Sequence, residues 1–397
     1  MLVTNQSPTP GSQTALREAN RGRIVDSLKH HGHLTQVELA GSTGLSPATV
    51  SNIVKELSAS GVLHTTVTSR SGRRATEVTL ARRLGLVAGF HFSSRRLRIA
   101  VSDIGRVVIA ENHVPLALDH RHDRELDRAT VLLGDMLDSV NASFSDLLAV
   151  GIALPAPIDA RTGMVATAGL LRGWENVVIA DAMSSRINVP VFVDSEANMG
   201  GLAEVRAGAA KGARGAAYLR VGHGISAGLI IDGSIYRGVT GKAGQIGHVT
   251  IDENGSICRC GSRGCLDTLA GGPALLELFR DDPGMQRIRD LLVRAESGDA
   301  SARRVIADAG RHIGIAAASL CNLLDPELLV VGGELAEAGE TLLAPMRHAL
   351  ARSALTGSNG VPELVQGELG DRAEILGCLA LAIENVRLEA ELREFTR

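Results

Sequence analysis

Residues 243–270 read AGQIGHVTIDENGSICRCGSRGCLDTLA and hold three of the chain's five cysteines behind a histidine. Thiolate and imidazole ligands at short spacing are what a tetrahedral metal needs, and His248, Cys258, Cys260 and Cys265 supply a three-Cys, one-His set. Four protein ligands leave no open position for water, so the pattern predicts a structural zinc that ties a loop down rather than a catalytic one. The competing readings are unliganded thiols or a redox pair. Cys-Arg-Cys is cramped for a disulfide, and Gly261 and Gly264 suit a tight metal loop. Cys321 and Cys378 fall in apolar helical contexts and read as buried thiols.

At 397 residues the chain exceeds the length of about 250–300 at which single cores stop growing, which predicts two or three domains. An apolar content of 45% with no run of about 18 apolar residues fits an ordinary globular core and excludes a helical membrane span. The opening MLVTNQSPTPGSQT lacks the marks of a secretory signal and reads as a disordered arm over 1–14, so a cytoplasmic location is expected. An odd number of cysteines argues against a disulfide framework. Charge is uneven. Residues 1–83 carry ten Lys or Arg against five Asp or Glu, a net of +5, and with −3 overall the remainder carries −8.

The basic segment resolves into three short helices over 15–83. Ile24, Val25 and Leu28 give the first an apolar stripe that ends at Gly32. Thr35 with Glu38 is a capping box that starts the second, which runs to about Gly41. Ser46 caps the third and Pro47 suits its first turn. Val50, Ile53, Val54 and Leu57 then follow at i, i+3, i+4 and i+7, leaving Thr49, Ser51, Asn52 and Lys55 on the opposite face. Two helices joined by GSTG make a helix-turn-helix whose polar face has the residue types that reach base edges and phosphates. Beyond it, 62–67 and 75–80 alternate as strands of a hairpin whose tip carries Arg70, Arg73 and Arg74, a wing for the minor groove. A three-helix protein-interaction domain with solvated arginines is the bland alternative.

From residue 85 onward the texture changes to short apolar strands followed by glycine turns: LLAVGIALP, VPVFVD, AAYLRVG, ELLVVGG. That punctuation belongs to an α/β fold with ligands at strand ends. The boundary falls at 83–85.

These segments carry a resemblance. The Cys-rich stretch, with LPAPIDARTGMV and RGWENV upstream and VFVDSEANMGGLAE between, resembles the ROK family of bacterial sugar kinases and sugar-responsive repressors. The resemblance implies an actin/hexokinase-like pair of lobes, over 85–194 and 195–379, with a C-terminal helix at about 380–397 returning to the first. It also implies a sugar site in the cleft, structural zinc and homodimers or homotetramers. Repressors of the family differ from its kinases by an N-terminal winged helix-turn-helix like the one read above.

The kinase motifs are altered. The family's Asp-x-Gly-Gly-Thr phosphate turn is here His91-Phe92-Ser93-Ser94-Arg95, which removes the glycines that let backbone approach phosphate. The catalytic Asp of Asn-Asp-Ala-Asn becomes Glu196 in Ser195-Glu196-Ala197-Asn198, one methylene longer. VGHGISAG keeps Gly222, Gly224 and Gly228 but carries His223, while VVGGELAEAG keeps Gly332 and Gly333. In the implied sugar pocket Gln245 replaces a Glu before His248, Asp267 replaces a Glu, and Leu170 replaces an Asn. Trp174 reads either as a sugar-stacking ring or as core. The expectation is a non-enzymatic repressor that binds an operator, a double-stranded inverted repeat, and answers to a sugar or sugar phosphate held by Ser195, Glu196, Gln245, His248 and Asp267. The alternatives are an active sugar kinase with a DNA-binding appendage, or a constitutive DNA-binding scaffold.

Overall fold

Capping and burial set the first module. In a computed structural model that describes residues 13–70, 73–117, 120–167, 169–355 and 360–388, helix α1 (Gln13–His31) is followed by strand β1 (His33–Thr35), α2 (Gln36–Thr43) and α3 (Pro47–Ala59). The hairpin strands are β2 (Leu63–Arg70) and β3 (Arg73–Leu80). The Thr35 hydroxyl accepts from Glu38 N at 3.3 Å while the Glu38 carboxylate accepts from Thr35 N at 2.8 Å, the reciprocal bonds that start α2. This helix runs past Gly41 to Thr43 and stops where Gly44 takes φ 68°. Ser46 Oγ accepts from Thr49 N at 3.1 Å, and Val50, Ile53, Val54 and Leu57 are buried. The sequence reading missed β1, which pairs with β3 to make the sheet β1-β3-β2. Three residues are too few for alternation to show. The arm expected over 1–14 lies outside the described residues as far as residue 12.

Two further sheets share one plan. In the first, β4 (Leu86–Phe92), β5 (Arg96–Asp103) and β6 (Val108–Pro115) form an antiparallel meander. After α4 (His122–Ser139) come β7 (Leu147–Leu154), α5 (Ile179–Ile187) and β8 (Val191–Ser195), giving the order β6-β5-β4-β7-β8 with β7 and β8 parallel to β4. Helix α6 (Glu196–Ala207) leads to the second sheet, where β9 (Ala216–Val221), β10 (Ile225–Ile231) and β11 (Ser234–Ile235) form the meander. Its helical layer is α7 (Asp267–Ala270), α8 (Gly272–Glu277), α9 (Ile288–Glu296), α10 (Ala300–Leu324) and α11 (Glu340–Ser353). Strands β12 (Leu328–Gly332) and β13 (Glu363–Gln366) complete β11-β10-β9-β12-β13.

The helix after each sheet's last strand packs on the other sheet: α6 lies on β9 and β10, and α12 (Ala373–Asn385) lies on β4 and β7. The helix expected at about 380–397 therefore begins earlier. The buried run from Ala373 to Ile383 is what covers the first sheet, and the chain leaves helical geometry at Val386; residues 389–397 lie outside the described ones. The two helices pack so closely that a Cβ at Gly377 would collide with Met199 O, and α12 lies so close on β7 that one at Gly151 would collide with Cys378 O. One apolar core runs from Ile24, Leu28 and Leu80 of the N-terminal module through Ile104 to Ile383 and Val386.

Gly377→Ala should lower stability by about 1–3 kcal/mol in urea unfolding, because the methyl forces the helices apart. Gly22→Ala in α1, where a Cβ meets nothing within 4 Å, should raise it by about 0.5–1 kcal/mol.

Candidate functional site

The metal loop is built by backbone geometry. A short 3-10 turn, Ile246–His248, delivers His248, and the isolated bridges Thr250↔Cys265 and Ile257↔Arg263 fold the loop back on itself. Gly261 and Gly264 take φ of 91° and 64°, and a Cβ at Gly264 would strike Asp252 O. The ligand atoms of His248, Cys258, Cys260 and Cys265 all lie within 4.8 Å of one another. Cys258 Sγ is 3.6 Å from His248 Nδ1, and Cys260 Sγ is 3.7 Å from Cys265 Sγ. Ligands held about 2.0–2.3 Å from a central ion stand roughly 3.3–3.8 Å apart at tetrahedral angles, so the four residues can hold one. Burial, with sulfur contacts to Cys260 and Cys258, pushes the Cys265 thiol up to about 12. A bound dication would drive that proton off.

The same loop furnishes one wall of a cleft between the two sheets, with a volume of about 440 Å³. Ser195, Glu196, Gln245, His248 and Asp267, expected from sequence to share a site, all line it. Asp267 accepts from Ile225 N at 2.9 Å and stands 3.6 Å from Arg259, the residue between two metal ligands. Sequence reasoning missed Arg259; its position between Cys258 and Cys260 was the available signal. Leu170 also lines the cleft. Trp174 belongs to the core, fully buried, with Nε1 donating at 3.1 Å to His120 and its ring edge-on to Phe92.

Glu196 is engaged from two sides. Its carboxylate pairs with Arg220 at 2.9 Å and meets His91 Nε2 at 3.2 Å. Burial works to raise its pKa, but Arg220 and His91 outweigh that and hold it below the ordinary glutamate range. Arg220 also donates to Glu374 at 3.0 Å, and the Tyr218 hydroxyl donates to the same Glu374 oxygen at 3.2 Å. Arg220 lies at the end of β9 and is 8% exposed, so the sequence reading, which followed family motifs, passed over it. The turn at Ser93 closes β4 onto β5 by bonds with Arg96, 2.9 Å from backbone N and 3.0 Å from Oγ, and has no glycine cradle.

On α3 the side chains of Ser46, Ser51, Asn52 and Lys55 are exposed, while Thr49 is partly covered and shares a 2.8 Å hydroxyl contact with Ser46. Arg21 and Arg17 of α1 pair with Glu56 and fix α3 in place. Arg70 and Arg73 face each other in the β2–β3 register; the side chains of Arg70, Arg73 and Arg74 lie outside the described residues.

The profile of the ROK family matches residues 97–385, and that of a winged helix-turn-helix DNA-binding domain matches 17–63. The chain belongs to the ROK family. A putative xylose repressor of Caldicellulosiruptor sp. (strain Rt8B.4) is 27% identical over 95% of this chain and 98% of its own. Among solved structures, a ROK family transcriptional regulator, a homolog of the E. coli MLC protein, superposes with TM-score 0.75 at 22% identity, covering 96% of this chain and 99% of its own. A Streptomyces griseus ROK glucokinase in complex with glucose and AMPPNP gives 0.67 at 25% identity and covers 75% of this chain and 99% of its own. The ROK domain here thus has relatives among both repressors and kinases. No helix among the described residues is long and apolar enough to cross a membrane.

Two outcomes test the site. The purified protein should carry about one divalent ion per chain by plasma mass spectrometry, and Cys265→Ser should lose it. Arg220→Met should cost about 3–5 kcal/mol in urea unfolding, since two buried carboxylates lose their counter-charge, and adding Glu196→Gln should recover part of that.

Proposed function

We propose that this ROK protein is a DNA-binding transcriptional regulator, a repressor of carbohydrate-metabolism genes that releases its operator when a sugar or sugar phosphate occupies the cleft. The observation that carries the reading is the commitment of Glu196 to Arg220 and His91. A general base needs a proton affinity near the working pH and a lone pair aimed at the substrate hydroxyl. A carboxylate already paired with a buried arginine and a histidine is a weaker acceptor for that proton.

The division of labour follows the sequence: 15–83 binds DNA, while 85–194 and 195–379 enclose the effector. Ser46, Thr49, Ser51, Asn52 and Lys55 meet the major groove, and Arg70, Arg73 and Arg74 reach the minor groove. A homodimer, alone or within a homotetramer, sets two such modules on an inverted repeat. Ser195, Gln245, His248 and Asp267 contact the effector beside Glu196. The metal is zinc in a purely structural role, since three thiolates and an imidazole are its preferred donors and leave no site for water. It braces the cleft wall that carries Gln245 and Asp267.

Fluorescence anisotropy with the DNA upstream of the protein's own gene tests this, titrated with xylose, glucose, N-acetylglucosamine and their terminal phosphate esters. At least one should weaken binding by about 5- to 150-fold. Asn52→Ala should cost about 1–3 kcal/mol and relax sequence preference, and Lys55→Ala should reduce the salt slope by about 1. ATP-dependent turnover of any panel sugar at about 1 per second or faster would make the chain a kinase instead.

A further inference from the structure

The residues that line the cleft and those that hold the DNA-binding module sit at opposite ends of the same helix. Helix α6 begins at Glu196, inside the cleft, and its 12 residues span about 18 Å to a last turn that carries Arg206. Arg206 grips Glu384, in the last turn of α12, with Nε to Oε1 at 2.6 Å and Nη2 to Oε2 at 3.3 Å. Glu384 is shared. Arg106, from the turn between β5 and β6, reaches it at 3.4 Å, and His30 of α1 stands 4.0 Å away.

From Glu384 the connection enters the DNA-binding module through backbone. The Arg106 guanidinium donates to Lys29 O, one of the carbonyls that the end of α1 leaves without a helical partner. Lys29 Nζ in turn donates to Val386 O at 2.7 Å. The last turn of α1 is therefore bonded on both sides to residues that follow or flank Glu384.

Between these ends α6 has no slack. A Cβ at Gly200 would collide with the Tyr218 ring, one at Gly228 with Ala197 O, and one at Gly377 with Met199 O. A helix held this tightly moves as one body or not at all. Its first turn is tied to that of α12 by Arg220, which bridges Glu196 and Glu374, and its last turn by Arg206 and Glu384. The contact at Gly377 and Met199 lies between the two ties.

We propose that α6 is a lever pivoting on α12 at Gly377 and Met199, and that the Arg206–Glu384 pair is the coupling element that passes cleft occupancy to the DNA-binding module. A ligand that competes for Glu196 or Arg220 loosens the first tie and turns α6 about the pivot. The second tie then drags Glu384 and Arg106 against the end of α1. Arg206 and Glu384 are positioning residues here, since neither lines the cleft nor faces DNA. The idea rests on the sensing function proposed above and adds its route.

The experiment uses the full chain, its upstream DNA and whichever panel sugar gives the largest loss of DNA binding in the wild type. Operator affinity is measured with and without saturating sugar for wild type, Arg206→Gln and Glu384→Gln, alongside sugar affinity by calorimetry and thermal melts. Each variant should bind sugar and sugar-free DNA within about threefold of wild type, while the sugar's effect on DNA binding falls from at least about fivefold to under about twofold. Folded variants that respond to sugar as the wild type does overturn the lever while leaving the sensing function in place. If one variant fails to fold, the other decides. A wild type that no panel sugar releases from DNA removes the sensing function, and the lever with it.

Discussion

Arg220 is the constraint on which the rest of the ROK domain depends. A guanidinium that is 8% exposed must be matched by carboxylates, and Glu196 and Glu374 meet it from the first turns of the two helices that cross between the sheets. Carboxylates are favoured there by the helix dipoles as well. The outcome is a cleft floor built on an ion network. The glucokinase relative shares the architecture, so the fold alone does not separate catalysis from sensing.

The cysteine loop forms the opposite wall. His248 and Cys265 bracket 16 intervening residues, and immediately outside or within that bracket stand Gln245, Arg259 and Asp267, all facing the cleft. Tying four ligands to one ion would restrict the loop beyond what its own backbone bonds do, since loop ordering is otherwise an entropic cost. The cleft lining and the candidate metal ligands are therefore adjacent in sequence and share His248.

The N-terminal module is not a loosely tethered reader. Its core residues Ile24, Leu28 and Leu80 share an apolar cluster with Ile104, Ile383 and Val386, and Lys29 and Arg106 bond across the same seam. A shared core turns the junction into a packed interface, which transmits displacement where a flexible linker would absorb it.

Local signals in the sequence determined a good deal by themselves. The box at Thr35 and Glu38, the cap at Ser46 with Pro47 behind it, and the 3-4 spacing of Val50, Ile53, Val54 and Leu57 specify two helices because each bond lies within a turn. Likewise the spacing of Cys258, Cys260 and Cys265 was enough to mark a loop whose donors come close enough to hold a metal, since short-range ligands need little tertiary context. The strand β1 and the start of α12 were not legible: the first is too short for a period, and the second is apolar all round because it is buried on several sides. Only the tertiary structure decided that Arg220 neutralises Glu196, that Trp174 is core rather than a sugar platform, and that Arg206 meets Glu384 across 178 residues of chain. Long-range pairs between charged groups leave no periodicity or spacing in a single sequence; they exist only once packing has brought their helices together.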